Sequence, residues 1–130
     1  MRLTKEVTKR FEVPNDPDGG YIILRHIKSN VLAEIIDRTS STRVENGEVV
    51  GVISGLERKK EIAKEGLTGW GNFEDESGRP LKFTPANIAK AAEFSIVTED
   101  GKTSFFDWID TCLADLADEV EEEQKAATEN

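Results

Sequence analysis

Few side chains in this 130-residue chain could carry out a reaction. His26 is the only histidine and Cys112 the only cysteine. A nucleophilic triad needs a base beside its nucleophile and a third group that orients the base, whereas His26 lies in an apolar run that favours a packed or edge position in a strand. One cysteine and one histidine are too few for a structural zinc site, and no GxSxG, HExxH, CxxC or phosphate-loop spacing occurs. The sequence therefore predicts no catalytic residue, no cofactor and no enzymatic activity.

Two acidic loops are candidates for a metal site. Asp16 and Asp18 precede a glycine, as in the first half of an EF-hand loop. With that glycine in its invariant place, the first ligand falls on Pro14 and the bidentate acid on Arg25, so both ends of the loop fail. The acidic run 74–76 could supply a pair of acids to a small metal-dependent enzyme, although a solvated turn is the simpler interpretation. We predict no metal ligand.

The charge of the chain restricts its partners. There are 26 acidic and 17 basic residues, which gives a formal net charge of -9, and most of the excess lies in residues 107–129. Such a surface repels phosphate backbones and anionic membranes. No apolar run is long enough to span a bilayer, the first residues lack a signal-peptide pattern, and a lone cysteine fits a reducing compartment. We expect a cytoplasmic protein that binds neither nucleic acid nor membrane.

Aromatic side chains are the remaining candidates for a site. Trp70 and Phe73 lie in a glycine-flanked loop, and Phe105, Phe106 and Trp108 crowd the start of one helix. Aromatic residues often anchor interfaces because they bury a large area. Phe106 and Trp108 cannot both face the narrow helical stripe that holds Phe105 and Ile109, so one of the two is a good candidate for an exposed or interface position. We predict Trp70, Phe73, Phe106 and Trp108 as partner contacts; the alternative is that all five aromatic residues belong to the core.

The first half of the chain has the pattern of two hairpins around a helix. Residues 7–13 alternate in polarity and residues 21–27 are apolar, so the turn-forming sequence PNDPDGG between them predicts an antiparallel hairpin. A helix is predicted from Val31, capped by Ser29 or Asn30. The pair Asn46-Gly47 favours a type I′ turn in a second short hairpin.

The second half is predicted to be mainly helical. A helix from Leu56 follows a capping-box pattern of Ser54 and Glu57, and Gly66 or Gly69 is expected to end it in the left-handed conformation. Residues 70–83 form a loop or small hairpin that turns near 77–78. Two further helices are predicted. One has Thr84 as its cap and Pro85 at its first position, and the other follows Ser104, which is its expected cap.

Together these elements predict one α+β domain over residues 1–120, in which an N-terminal β-hairpin packs against about four helices and helix dominates. The last helix has the widest apolar stripe, which contains the following residues: Phe105, Trp108, Ile109, Cys112, Leu113, Leu116, Ala117 and Val120. Residues 121–130 have few apolar side chains to bury, so we expect a disordered acidic C-terminal tail there.

Two segments resemble phage proteins. Residues 9–35, KRFEVPNDPDGGYIILRHIKSNVLAEI, are similar to the opening of small phage tail proteins. Residues 65–94 resemble a stretch of siphophage tail assembly chaperones, in which a Gly-Trp pair precedes a polar turn with Gly-x-Pro and then a capped helix. Those features are here Gly69-Trp70, Gly78-Arg79-Pro80 and Thr84-Pro85. The stretch 42–53 with its Asn-Gly turn departs from the pattern and has the character of an insertion.

The resemblance implies a phage or prophage tail assembly chaperone that binds the tape-measure protein, prevents its apolar helices from aggregating and helps to recruit tail-tube subunits. It implies no cofactor, and self-association into a homo-oligomer is common in that family. Two other functions remain open: a structural virion protein, such as a head–tail connector or tail completion protein, and the small metal-dependent enzyme considered above.

Overall fold

The computed structural model describes residues 6–53 and 55–128 and has an α+β fold. Helix accounts for 48% and strand for 25%, so the predicted dominance of helix is confirmed. In chain order the elements are β1 (Thr8–Glu12), β2 (Tyr21–Arg25), α1 (Ser29–Arg38), β3 (Ser40–Glu45), β4 (Glu48–Ile53), α2 (Gly55–Gly66), β5 (Leu67–Gly71), α3 (Pro85–Lys90), a 3-10 turn (Ala91–Glu93), β6 (Ser95–Thr98), β7 (Gly101–Ser104) and α4 (Phe105–Thr128).

The N-terminal hairpin forms as the alternation predicts. β1 and β2 are antiparallel with Phe11 opposite Ile22, and Ile22 and Leu24 are fully buried on the inner face. In the long loop, the carboxylate of Asp16 accepts hydrogen bonds from the backbone N–H groups of Asp18 (3.0 Å) and Gly20 (2.7 Å). This acid therefore organises the turn, which is the usual structural role of aspartate at such a position.

The sheet has a third strand that the sequence did not predict. β5 pairs antiparallel with β2, so the strand order is β1-β2-β5 and Trp70 lies opposite Ile22. The sequence pattern of LTGWG predicts the end of a helix and the start of a loop, and glycine is depleted in strands. Pairing with the central strand β2 outweighs that weak local preference.

The second hairpin is confirmed at its turn. β3 and β4 pair in register from Ser40 opposite Ile53 to Glu45 opposite Glu48. Asn46 and Gly47 have φ angles of 52° and 81°, and positive φ at both central residues is the requirement of a type I′ turn. The hairpin contacts α1 through β3.

Two predicted details of the helix ends are wrong, the cap residue of α1 and the backbone conformation at the end of α2. α1 begins at Ser29, so Lys28 occupies the cap position and makes no side-chain cap hydrogen bond; neither Ser29 nor Asn30 is the cap. α2 does end at Gly66, but Gly66 and Gly69 both lack a positive φ, and Gly69 lies within β5. The chain passes directly from helix into a paired strand, so no left-handed residue is needed. Ser54 of the predicted capping box lies outside the described residues.

Side-chain caps begin the last two helices, as predicted. The Thr84 hydroxyl accepts a hydrogen bond from the N–H of Asn87 at 3.2 Å, with Pro85 in the first turn. The Ser104 hydroxyl accepts one from the N–H of Asp107 at 3.1 Å. Each oxygen satisfies a backbone donor that has no partner within its helix.

Removing a cap should have a measurable cost. Ser104→Ala is expected to lower the free energy of unfolding by about 1 kcal/mol, because the N–H of Asp107 loses its acceptor. Ser104→Gly is the matched control. Its free energy of unfolding should differ from that of the wild type by only about a few tenths of a kcal/mol, since glycine suits the cap backbone. Urea denaturation compares the three proteins, and equal stability of the alanine variant and the wild type would contradict the cap.

α4 is longer than predicted. The helix continues to Thr128, whereas the sequence suggested a disordered tail over 121–130. Residues 121–126 are exposed, so burial does not explain the extension. Glu, Gln, Lys and Ala all have high helix propensity, which supports continuation from the packed part of the helix. Residues 129–130 lie outside the described chain.

Candidate protein-binding site

The four aromatic residues predicted as partner contacts all pack into or against the core. Phe106 and Trp108 are only 2% and 7% exposed, so the prediction that one of them is exposed is wrong. Trp70 and Phe73 are half-buried and pack against the same core. α4 contacts α2, the 3-10 turn, β6 and β7, and these neighbours together bury a wider face than a single neighbouring element would.

The aromatic cluster has a structural role. Trp70 stacks on Phe73 with ring centroids 5.0 Å apart, and it meets Phe83 and Phe105 edge-on at 5.1 and 6.4 Å. Its indole Nε1–H donates a hydrogen bond to the carbonyl oxygen of Leu81 at 2.8 Å. These contacts attach the segment between β5 and α3 to the sheet. They also satisfy the polar group of a tryptophan that is largely removed from water.

An apolar groove lies between the start of α1 and the middle of α4. We call it the α1–α4 groove. Its narrower part has a volume of about 260 Å³ and adjoins a wider, more polar part of about 770 Å³ that shares His26 and Ile27. The narrower part is lined by His26, Ile27, Leu32, Ile62, Asp110, Leu113, Ala114 and Ala117. The wider part adds charged side chains and the further course of α4 to Val120 and Gln124.

Small residues shape the floor of this groove. Ala114 is exposed and Ala117 is half-buried, so neither fills the space above α4. At the end of α2, a Cβ on Gly66 would lie 3.2 Å from a methyl group of Leu113 and 3.5 Å from one of Ile27. The absence of a side chain at Gly66 therefore allows these two residues to approach α2. The groove keeps a shallow floor that a second helix could approach closely.

One carboxylate lines the apolar part of the groove. Burial raises the pKa of Asp110, the negative charge of Asp107 raises it further, and Lys59 opposes both effects. Lys59 is already engaged, because its Nζ lies 2.7 Å from Oδ1 of Asp107. The hydrogen bond from Lys59 holds the pKa of Asp107 below its ordinary value, with a further contribution from Ser104.

The position of Asp110 predicts a pH-dependent cost. Because its pKa is higher in the folded chain, the wild type loses stability as the pH rises from the ordinary value of 3.8 towards the raised pKa. Asp110→Asn is therefore expected to be more stable than the wild type at pH 7 and to lose that advantage below pH 3.8. Asp107 titrates below this pH range because its pKa is lowered. Lys59 and His26 are present in both proteins, so they do not account for a difference between them. Urea midpoints that do not diverge above pH 3.8 would contradict the assignment.

The acidic loop at 74–76 and His26 were the other candidates for a site. Among residues 6–53 and 55–128 there is no group of three or more His, Cys, Asp or Glu side chains that could hold a metal ion. The acid at Asp75 accepts hydrogen bonds from the N–H groups of Ser77 and Arg79 at 2.8 and 2.9 Å, so it forms a turn. His26 is half-buried in the groove wall.

Cys112 should be unreactive in the folded protein. It is 4% exposed, and burial raises the pKa of its thiol to about 12. Since the thiolate is the reactive form, we expect negligible labelling by a disulfide reagent at pH 8 and complete labelling in urea. Absorbance of the released thiolate measures both rates, and rapid stoichiometric labelling without urea would contradict this burial.

Comparisons with protein-family models, with curated proteins and with solved structures found no match for this chain. In the part of the chain that the structure covers, no helix has the length and apolar character needed to cross a membrane. The structure shows an α+β fold. A proposal about function therefore depends on the groove and on the sequence resemblance.

Proposed function

We propose that this protein is a phage or prophage tail assembly chaperone, which binds the tape-measure protein in the host cytoplasm while the tail is being built. The observation that carries the proposal is the α1–α4 groove, a concave surface with an apolar narrower part that is left uncovered within the described residues. The resemblance of residues 9–35 and 65–94 to tail proteins names the class of client. The mechanism is transient covering of a client's apolar helix face, without a chemical step.

The dimensions of the groove suit a helix. The α4 residues that line it run from Asp110 to Gln124, and this stretch is about 21 Å long at 1.5 Å per residue. That length accommodates about four turns of a client helix. Amphipathic helices bind apolar grooves through side chains three or four positions apart. A tape-measure protein is very long and helical, so it offers many such faces that would otherwise aggregate.

The direct test is co-purification with the tape-measure protein of the same genome. Ala117→Gln places a bulky polar side chain in the groove and is expected to weaken binding at least tenfold, a change of about 1.4 kcal/mol. Ala86→Gln makes the same substitution at an exposed position of α3 and should bind as the wild type does. Titration calorimetry with a tape-measure fragment supplies the affinities.

Two results would contradict the proposal. One is a failure of the wild type to retain the tape-measure protein at both low and moderate salt. The other is stoichiometric presence of the chain in purified virions, because a chaperone leaves the particle whereas a head–tail connector or tail completion protein stays in it.

A further inference from the structure

A row of acidic side chains on α4 begins in the groove wall at Asp110 and continues beside the groove. On α4, Asp110, Ala114, Asp118 and Glu121 are spaced by three or four residues, which places them on one face of the helix. Ala117 is one turn before Glu121 on that face, so the acids run beside the small residues of the floor. Asp118 and Glu121 are exposed, and within the described residues neither takes part in a hydrogen bond or ion pair.

The nearby cations neutralise this row only in part. Lys125 follows Glu121 by four residues on the same face of α4 and offsets one of the three acids. Lys59 is paired with Asp107 at 2.7 Å, and Arg25 is paired with Glu6 at 3.0 Å in the wider part of the groove. Lys28 and the acid Glu65 both line the wider part. The side of the groove formed by α4 therefore has an excess of negative charge.

Asp110 has an unusual environment for a surface acid. It is half-buried beside Ile62, Leu113 and Ala114 in the apolar part of the groove. Among the described residues, no hydrogen-bond donor serves its carboxylate, and burial raises its pKa. A cation from a bound partner would lie against this carboxylate in a site that water reaches poorly, where a charge pair is stronger than at an open surface.

We propose that the α1–α4 groove selects amphipathic helices that carry lysine or arginine along one side of their apolar face, with Asp110, Asp118 and Glu121 as the complementary acids. This inference takes from the proposed function only the location of the client site. The apolar stripe of the partner contacts the floor at Ala114 and Ala117, and its basic flank lies against α4. Charge complementarity of this kind sets the orientation and the association rate, and like charges placed against each other weaken binding of the wrong partner.

The test uses the full chain and two synthetic helical peptides with the same apolar face. One peptide has lysines on the flank and the other has glutamates. We expect the lysine peptide to bind at least tenfold more tightly at low salt, and we expect the difference to shrink at 0.5 M salt because exposed charges are screened. Equal affinities at low salt would overturn the inference.

Matched variants locate the effect on α4. Glu121→Gln is expected to weaken binding of the lysine peptide about twofold to fivefold, as for an exposed ion pair, while Glu99→Gln in the β6–β7 turn should change nothing. Asp110→Asn should weaken it more, even though the variant is expected to be the more stable protein at pH 7, so misfolding cannot imitate that result. Equal losses in Glu121→Gln and Glu99→Gln would overturn the assignment to this face.

The two proposals can fail separately. Binding of the lysine peptide without capture of the tape-measure protein would support the charge preference of the groove and contradict the assigned client. Capture of the tape-measure protein with no difference between the peptides would support the chaperone function and overturn the charge preference.

Discussion

Trp70→Ala is expected to lower the free energy of unfolding by about 3–5 kcal/mol. The substitution removes a ring that contacts Phe73, Phe83 and Phe105, and it leaves the carbonyl oxygen of Leu81 without its indole donor. A loss of this size is a large fraction of the total stability of a domain, about 5–15 kcal/mol. Urea denaturation followed by circular dichroism measures this loss of stability. Trp108 remains in the variant as a probe of local changes.

Trp70→Phe separates the two contributions. It keeps an aromatic ring near Phe73 but removes the hydrogen bond to Leu81, so we expect an intermediate loss of about 1–3 kcal/mol. If Trp70→Ala instead unfolded at the wild-type urea concentration and lost only client binding, Trp70 would be a surface contact, as the sequence suggested. The packing observed around the ring argues for the opposite result.

Phe106→Ala is expected to cost a similar amount, about 3–5 kcal/mol, because it opens a cavity beneath a side chain that is 2% exposed. The matched control is Leu56→Ala on α2, where the side chain is 60% exposed and the change should stay within about 0.5 kcal/mol. Both variants are compared by their urea midpoints at equal slope. Equal effects of the two substitutions would contradict the burial of Phe106.

These two predictions treat the aromatic residues as stabilising the fold, so the candidate binding site lies elsewhere. The sequence favoured them as contacts because exposed tryptophan and phenylalanine residues often mark interfaces. In the folded chain they hold the segment between β5 and α3 in place and close one end of the core. The groove that could bind a partner is lined instead by small and aliphatic side chains, of which Ala114 and Ala117 are the least conspicuous in a sequence.

Features that depend on neighbouring residues were predictable. The turn sequence PNDPDGG, the Asn46-Gly47 pair and the caps at Thr84 and Ser104 each follow from the backbone preferences of a few consecutive residues. The stripe on α4 was equally clear, because eight apolar residues at helical spacing have one consistent interpretation. Each of these features appears in the structure where the local pattern placed it.

Features that depend on residues far apart in the chain were not predictable from the sequence. β5 has weak strand propensity and exists because β2 offers it a pairing edge more than 40 residues away in the chain. Phe106 is buried because α4 packs against α2, the 3-10 turn and the β6–β7 hairpin at once. No pattern within one helix can show how many neighbours that helix will have.

By itself the sequence determined the class of the fold, the turns, most helix starts and the scarcity of reactive groups, since these follow from local backbone preferences and from composition. Only the tertiary structure decided which aromatic side chains are removed from water, that a third strand completes the sheet, and where an apolar groove with an acidic side lies. Burial and concavity arise from the summed contacts of segments far apart in the chain, so they become defined only when those segments pack together.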